Sequence, residues 1–217
     1  MNQPVLLEQK DDVWVFYKPS GMAVHPTNDP DIPDLMSWIE ANGYAKMAPI
    51  HRLDRATSGL VLCSPSADVR GAFGKWFTES LVEKEYRALV YGVTRPKGVI
   101  NRPLFDRRRR KSLKAKTHYK QLSCDAGFSY LSVKPTTGRK HQIRQHFQGI
   151  GHALVGDQRY KPKKFRAVPG FPGRLWLHAH TLVLPNGWTL TASLPEELTT
   201  HLAVLHEIEQ RTKEDET

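Results

Sequence analysis

Short apolar runs broken by turn residues, not long helical repeats, limit what this chain can fold into. Val5-Leu6-Leu7 and Val13-Trp14-Val15-Phe16-Tyr17 have the composition of strands, the second ended by the turn Lys18-Pro19-Ser20-Gly21. Asp34 caps a predicted helix that runs through Ala41 and is closed by Gly43. Gly59-Leu60-Val61-Leu62-Cys63 is the kind of run that fills a buried strand. Ser66 caps a second predicted helix, reaching about Glu79, whose Val69, Phe73, Trp76 and Phe77 share one face. Lys84–Tyr91 is a strand stopped by Gly92, and Thr117–Leu122 and Phe128–Val133 form a hairpin about Asp125-Ala126-Gly127.

After a break at Thr137-Gly138, a helix through His141–Gln148 turns Ile143 and Phe147 inward. Asn186-Gly187 signals a two-residue hairpin between Leu182-Val183-Leu184 and Trp188-Thr189-Leu190. Leu198, Leu202, Leu205 and Ile208 stripe a last helix, and residues 211–217 are expected to fray. Strands and helices do not alternate as in a doubly wound fold. The fold class is therefore α+β, with a mixed, mainly antiparallel central sheet and flanking helices. No linker divides the chain, so residues 1–210 are expected to form a single domain.

No apolar run approaches the roughly 18 residues of a membrane span, and the N-terminus lacks the features of a signal peptide. Cys63 and Cys124 are too few for a disulfide framework, which points to a reducing cytoplasm. The formal net charge is +10 and the pI near 9.7, a balance that suits a nucleic-acid partner. The charge is clustered. Arg107-Arg108-Arg109-Arg110-Lys111 is followed by Lys114, Lys116 and Lys120, and a second group is Lys161, Lys163, Lys164 and Arg166 in a stretch rich in proline and glycine.

Two segments carry the candidate chemistry. His51-Arg52-Leu53-Asp54-Arg55-Ala56-Thr57-Ser58-Gly59 places one carboxylate between two arginines just before a buried strand, a setting for a base or nucleophile. Gly138-Arg139-Lys140-His141-Gln142-Ile143-Arg144-Gln145-His146 places Arg144 at the boundary of an apolar helix face, where it can serve a carboxylate. There is no glycine-rich phosphate loop and no Cys/His zinc spacing. His178-x-His180 and the pair His141 and His146 lack acidic partners at metal-binding spacing. His51 is expected to hold the Asp54 loop, and Cys63 to be inert core.

These motifs resemble those of the RluA-type pseudouridine synthases, in a short form without an N-terminal S4-type module. The resemblance also takes in Tyr17–Pro26, Lys84-Glu85-Tyr86-Arg87-Ala88, Gly156-Asp157 and Leu177-His178-Ala179, in the family's order. Tyr160 is followed by Lys161 where the family often has tyrosine-glycine, so the Lys161–Arg166 stretch is expected to alter RNA contacts.

The resemblance implies a mixed, mainly antiparallel sheet with a catalytic cleft. It also implies isomerisation of specific uridines in rRNA or tRNA by base flipping, without cofactor or metal. Asp54 takes the place of the essential aspartate, Tyr86 that of the tyrosine on the target base, and Arg144 that of the arginine paired with the aspartate. RNA contacts are expected at His51, Arg52, Arg55, Thr57, Arg139 and His141, and along Arg107, Arg108, Arg109, Arg110 and Lys111. A monomer with RNA as its partner and no membrane contact is the simplest assembly. An RNA-binding protein without activity has no need of Asp54, Tyr86 and Arg144 together, and a metal-dependent nuclease would need an acidic cluster that is missing.

Overall fold

The computed structural model describes residues 3–107, 109–164 and 166–215. In chain order its elements are β1 (Val5–Lys10), β2 (Val13–Lys18), α1 (Leu35–Ala41), β3 (Ala48–Pro49), β4 (Ser58–Ser64), α2 (Ala67–Thr78), β5 (Glu83–Tyr91) and β6 (Lys97–Asn101). There follow β7 (Leu104–Asp106), β8 (Lys111–Leu113), β9 (Lys116–Asp125), β10 (Phe128–Pro135), α3 (Gln142–Gly149), β11 (Leu177–Val183), β12 (Thr189–Thr191) and α4 (Glu196–Asp215). They form two compact units. One comprises residues up to Lys84 with His178–Ser193, and the other Glu85–Leu177 with the residues from Leu194 on.

In the first unit the strands run in the order β1-β2-β4-β11, with β12 paired to β11 and β3 to β4. All these pairs are antiparallel except β4 with β11, where Ser58 faces His178 and Gly59 faces Ala179 in parallel. Every residue of β4 is buried, as its unbroken apolar run requires. Gly59 stands at φ +119, and a Cβ there would lie 2.1 Å from the carbonyl oxygen of Ala179, so only glycine admits this close pairing.

The core of this unit joins Val13, Val15, Tyr17, Leu60 and Leu62 to Leu182, Leu184 and Leu190. Each such side chain contributes about 1.5–3 kcal/mol by leaving water. Helix α2 starts where Ser66 accepts the Val69 N–H, and it lays Val69, Phe73, Trp76 and Phe77 on this core. The β11–β12 hairpin is closed by three residues, not two. Leu184 and Trp188 pair, Gly187 N–H donates to the Leu184 carbonyl, and Gly187 sits at φ +83. Pro185 presets the first turn position, and Gly187 supplies the left-handed bulge.

In the second unit the order is β5-β10-β9-β6, all antiparallel, with β7-β8 as a separate hairpin. Ala126 and Gly127 both have positive φ, the mirror-image turn that matches strand twist in the expected β9–β10 hairpin. Leu89, Phe128, Val155, Trp176, Leu198 and Leu205 make its core, so α4 is held by its leucine stripe. That helix continues through Asp215, beyond the end expected near residue 210, with Lys213 paired to Glu209 one turn earlier. Among the described residues no helix is long and apolar enough to cross a membrane.

Candidate active site

Asp54 lies in the loop between β3 and β4, and that loop is fixed chiefly through its backbone. The Thr57 N–H donates to the Asp54 carbonyl at 3.0 Å, closing a tight turn. The Gly21 N–H donates to the Arg55 carbonyl, and the Ser20 hydroxyl donates to that of Ala56 at 2.7 Å. Lys18, with no exposed surface, aims its ammonium at the carbonyls of Pro19, Met22 and Arg55 at 2.8, 2.8 and 3.3 Å. The Tyr17–Pro26 landmark thus serves as a clamp on the aspartate loop. The composition that earmarked Lys18-Pro19-Ser20-Gly21 as a turn gave no sign of this second task.

Leu53 and Thr57 are buried, Asp54 is half-buried, and Arg52 and Arg55 are exposed on either side of it. His51 accepts the Leu62 N–H through Nε2 at 3.2 Å and stacks on Phe77 with ring centroids 4.3 Å apart. Loss of water around the ring, with the nearby Lys84 charge, lowers its pKa to about 3, so the imidazole is neutral. The loop is anchored at its far end as well. Ser58 Oγ lies 2.9 Å from His178 Nδ1, and His178 Nε2 is 3.0 Å from the Ala192 carbonyl. Ser58-Gly59 and His178-Ala179, distant in sequence, are therefore neighbours across the β4–β11 pair. Cys63, on the same strand, is fully buried, and burial pushes its thiol up to about 12.

Tyr86 and Arg144 both belong to the second unit. Val133 is paired to Tyr86 on one side and to Tyr119 on the other, so the three side chains share one sheet face. Tyr119 packs edge-on against Phe147 of α3, 5.4 Å between centroids, which sets α3 on the Tyr86 face. Arg144 is buried in α3. Its Nε and one terminal nitrogen donate to the two oxygens of Asp157 at 2.7 and 2.8 Å, a two-pronged ion pair.

Asp157 Oδ1 also accepts the N–H groups of Arg159 and Tyr160. Burial alone would raise the pKa of Asp157, but the bond and charge of Arg144 and these backbone donors hold it below the usual carboxylate range. The Arg144 guanidinium also lies 5.2 Å from the Tyr160 ring centroid. Gly156 (φ +77) lets this turn approach the Arg174 carbonyl, which a Cβ would meet at 2.1 Å.

The start of α3 is shaped by two residues. His141 takes the left-handed conformation (φ +53) just before the helix, its Nδ1 3.1 Å from the Tyr160 hydroxyl. Buried Gln142 accepts from the Thr137 hydroxyl and the Arg139 N–H, and donates to the Lys116 carbonyl and the Thr117 hydroxyl. Arg139 is held by its Nε to the Lys114 carbonyl. His146 has Nδ1 on the Thr117 hydroxyl and Nε2 on the Arg102 carbonyl. With His180 Nδ1 2.7 Å from the Ala192 carbonyl, His141, His146, His178 and His180 are all engaged within the protein.

The basic run occupies the tip of the β7–β8 hairpin. Asp106 pairs with Lys111, Arg109 N–H donates to the Asp106 carboxylate, and Arg107, Arg109, Arg110 and Lys111 are exposed. Arg108 lies outside the described residues.

Residues 12–149 match the RNA pseudouridylate synthase family. Among curated relatives, the dual-specificity RNA pseudouridine synthase RluA of Yersinia pestis is 30% identical over 193 residues, spanning 84% of this chain and 92% of that protein. The RluA of Pasteurella multocida is 32% identical over 82% of this chain and 84% of its own. The tRNA pseudouridine synthase C of Haemophilus ducreyi is 29% identical over 85% of this chain and 86% of its own. Among solved structures, human RNA pseudouridylate synthase domain containing 4 covers 92% of both chains with a TM-score of 0.80 at 24% identity, a likeness of fold. With its α+β fold and mixed, mainly antiparallel strands, the chain belongs to the RNA pseudouridylate synthase family, enzymes that isomerise uridine to pseudouridine.

Proposed function

We propose that this enzyme converts specific uridines of rRNA or tRNA to pseudouridine with Asp54 as its essential carboxylate. The reaction breaks the N1–C1′ bond, turns the base, joins C5 to C1′ and releases the C5 proton, while the freed N1 takes up a proton. Asp54 acts on the ribose or on the base, Tyr86 packs on the target base and helps remove the C5 proton, and Arg144 is the partner of the aspartate. No redox change or phosphate energy enters, so neither cofactor nor metal is invoked.

The observation that carries this reading is the clamp of Lys18, Ser20 and Gly21 on the Asp54 loop. A side chain whose job is chemistry must keep its place when substrate arrives, and fixing the carbonyls of the two residues that follow it, Arg55 and Ala56, does that. A stacked uridine cannot reach such a loop. It has to be flipped out, at a cost of a few kcal/mol. Phosphate contacts from the +10 charge offset that cost, with Arg52, Arg55, Arg139 and the β7–β8 tip as contact points. The relatives named for dual specificity and for tRNA support rRNA or tRNA as the substrate class. The free cysteines Cys63 and Cys124 suit a reducing cytoplasm, and a monomer suffices for the chemistry.

The test is tritium release from RNA labelled at uridine C5, using separate tRNA and rRNA pools from cells lacking the protein. Wild type should release tritium from at least one pool, while Asp54→Asn should release none yet bind RNA with nearly unchanged affinity. Release by Asp54→Asn at the wild-type rate would overturn the assignment.

A further inference from the structure

The second unit holds a pocket of about 270 Å³ whose lining shares Asp157, the partner of Arg144, with the site described above. Tyr91, Val168, Phe171, Lys161, Pro162 and the Gly156–Gln158 turn line it. Its walls are fixed before any ligand arrives. Tyr91 and Val168 pack on the core under α4. Just before Phe171, the Pro169 carbonyl lies 2.9 Å from His201 Nε2 of α4, and Gly170 sits against Val204. Gly156 leaves space that the Phe171 ring approaches, since a Cβ there would stand 3.0 Å from it. Phe171 nevertheless keeps 41% of its surface exposed, an unusual position for a large aromatic on a pinned turn.

A flat occupant with apolar faces and a polar edge fits this lining, with Phe171 for the face and the exposed Gln158 amide for the edge. The charge around it selects further. Lys161 lines it, Lys163 and Lys164 are exposed just beyond, and the Arg166 guanidinium lies 5.1 Å from the Phe128 ring centroid. Cations strung beside an aromatic-walled pocket match a chain of phosphates whose bases alternate with them.

We propose that this pocket receives one unstacked nucleobase of the substrate RNA, a nucleotide other than the isomerised uridine, with Lys161 meeting its phosphate. The proposal rests on the reading of RNA as substrate, and it makes the 156–171 segment a selector of RNA shape. It gives the basic stretch 161–166 a task distinct from that of the β7–β8 tip. The ligand is a nucleotide, and the source assigned to it is the RNA chain, not the free nucleotide pool.

The test measures equilibrium binding of the tRNA and rRNA pools to wild type, Phe171→Ala, Phe171→Trp and Lys161→Ala, with AMP and UMP as separate arms. Losing one base stack should weaken RNA binding about tenfold in Phe171→Ala, with Phe171→Trp within about twofold of wild type. Lys161→Ala should lower the salt slope of binding by about one. Thermal midpoints should stay together, since Phe171 is half in solvent. Unchanged RNA affinity in Phe171→Ala would overturn the proposal, as would equal weakening by alanine and tryptophan. AMP or UMP binding as tightly as RNA, in a Phe171-dependent way, would reassign the pocket to free nucleotides. Tritium release tells the two readings apart, because activity surviving in Asp54→Asn would sink the catalytic assignment and leave these affinities untouched.

Discussion

The two units hold their candidate site residues by opposite means. Around Asp54 it is the loop backbone that is held: the Arg55 and Ala56 carbonyls are gripped by Lys18, Ser20 and Gly21. Arg144 is placed by its own charged head, gripped at two points by Asp157. The difference suits the chemistry of the two groups: a loop residue can be held through its main-chain carbonyls, whereas a guanidinium carries five donors in a rigid fork and keeps others when two are engaged. Fixing through a backbone also spreads the load over several bonds, whereas fixing through a buried ion pair concentrates it in one.

That contrast is sharpest in Asp157→Ala. It leaves the Arg144 guanidinium buried beside an empty site and should cost about 3–5 kcal/mol in urea unfolding. The pH dependence has a definite sign. The folded protein holds the Asp157 pKa below its unfolded value, so the pair's contribution is complete above the ordinary carboxylate pKa and drains away as pH falls through the lowered one. The stability gap between wild type and Asp157→Asn should therefore be flat from neutral pH to about pH 5 and narrow below it. A gap that widens in acid would break the ion-pair account.

Lys18→Met probes the other mode of holding. Removing charged hydrogen bonds to three carbonyls should cost about 2 kcal/mol, less than the loss of Asp157. Its sharper signature is kinetic, a fall in kcat with little change in KM, because the loop loses its aim and not its RNA contacts. Wild-type kcat in a folded Lys18→Met protein would show that the clamp does not position Asp54. The smallest effect on stability belongs to the β7–β8 tip, which neither mode of holding serves. Replacing Arg107, Arg109 and Arg110 by glutamine should change unfolding by no more than about 0.5 kcal/mol. The salt slope of RNA binding should nevertheless drop by about 2, and an unchanged slope would show that the tip does not meet phosphate.

What the sequence made legible was local. Ser66 caps α2, Asp34 caps α1 by accepting the Ser37 N–H, and the unbroken run around Leu60–Leu62 is a fully buried strand, each decided by a few adjacent residues. Strands β6, β7 and β8 escaped because they are short and largely polar, and pairing, not pattern, makes them strands. The hairpin at Asn186-Gly187 was placed correctly, but Pro185 drew a third residue into its loop.

The candidate site divides the same way. Its motifs stood out by composition and order, and Gly156-Asp157 and Leu177-His178-Ala179 were noted as landmarks without a task. Their tasks, holding Arg144 and anchoring Ser58, depend on contacts across 13 and 120 residues of chain, which no local window contains. The burial of Lys18 has no signature in the sequence, because lysine is ordinarily a surface residue.

The partnership of Ser58 with His178 also has a consequence for how the protein is made. During synthesis at about 5–20 residues per second, strand β4 is complete some 6–24 s before its parallel neighbour emerges. Through that interval an apolar strand, destined for complete burial, has an unoccupied flank at Gly59. The second unit waits as well, since Trp176 lacks the leucines of α4 until the last residues are joined. Neither unit is a continuous stretch of chain, so the nascent protein is most exposed to misassociation and chaperone capture before β11, β12 and α4 have been translated.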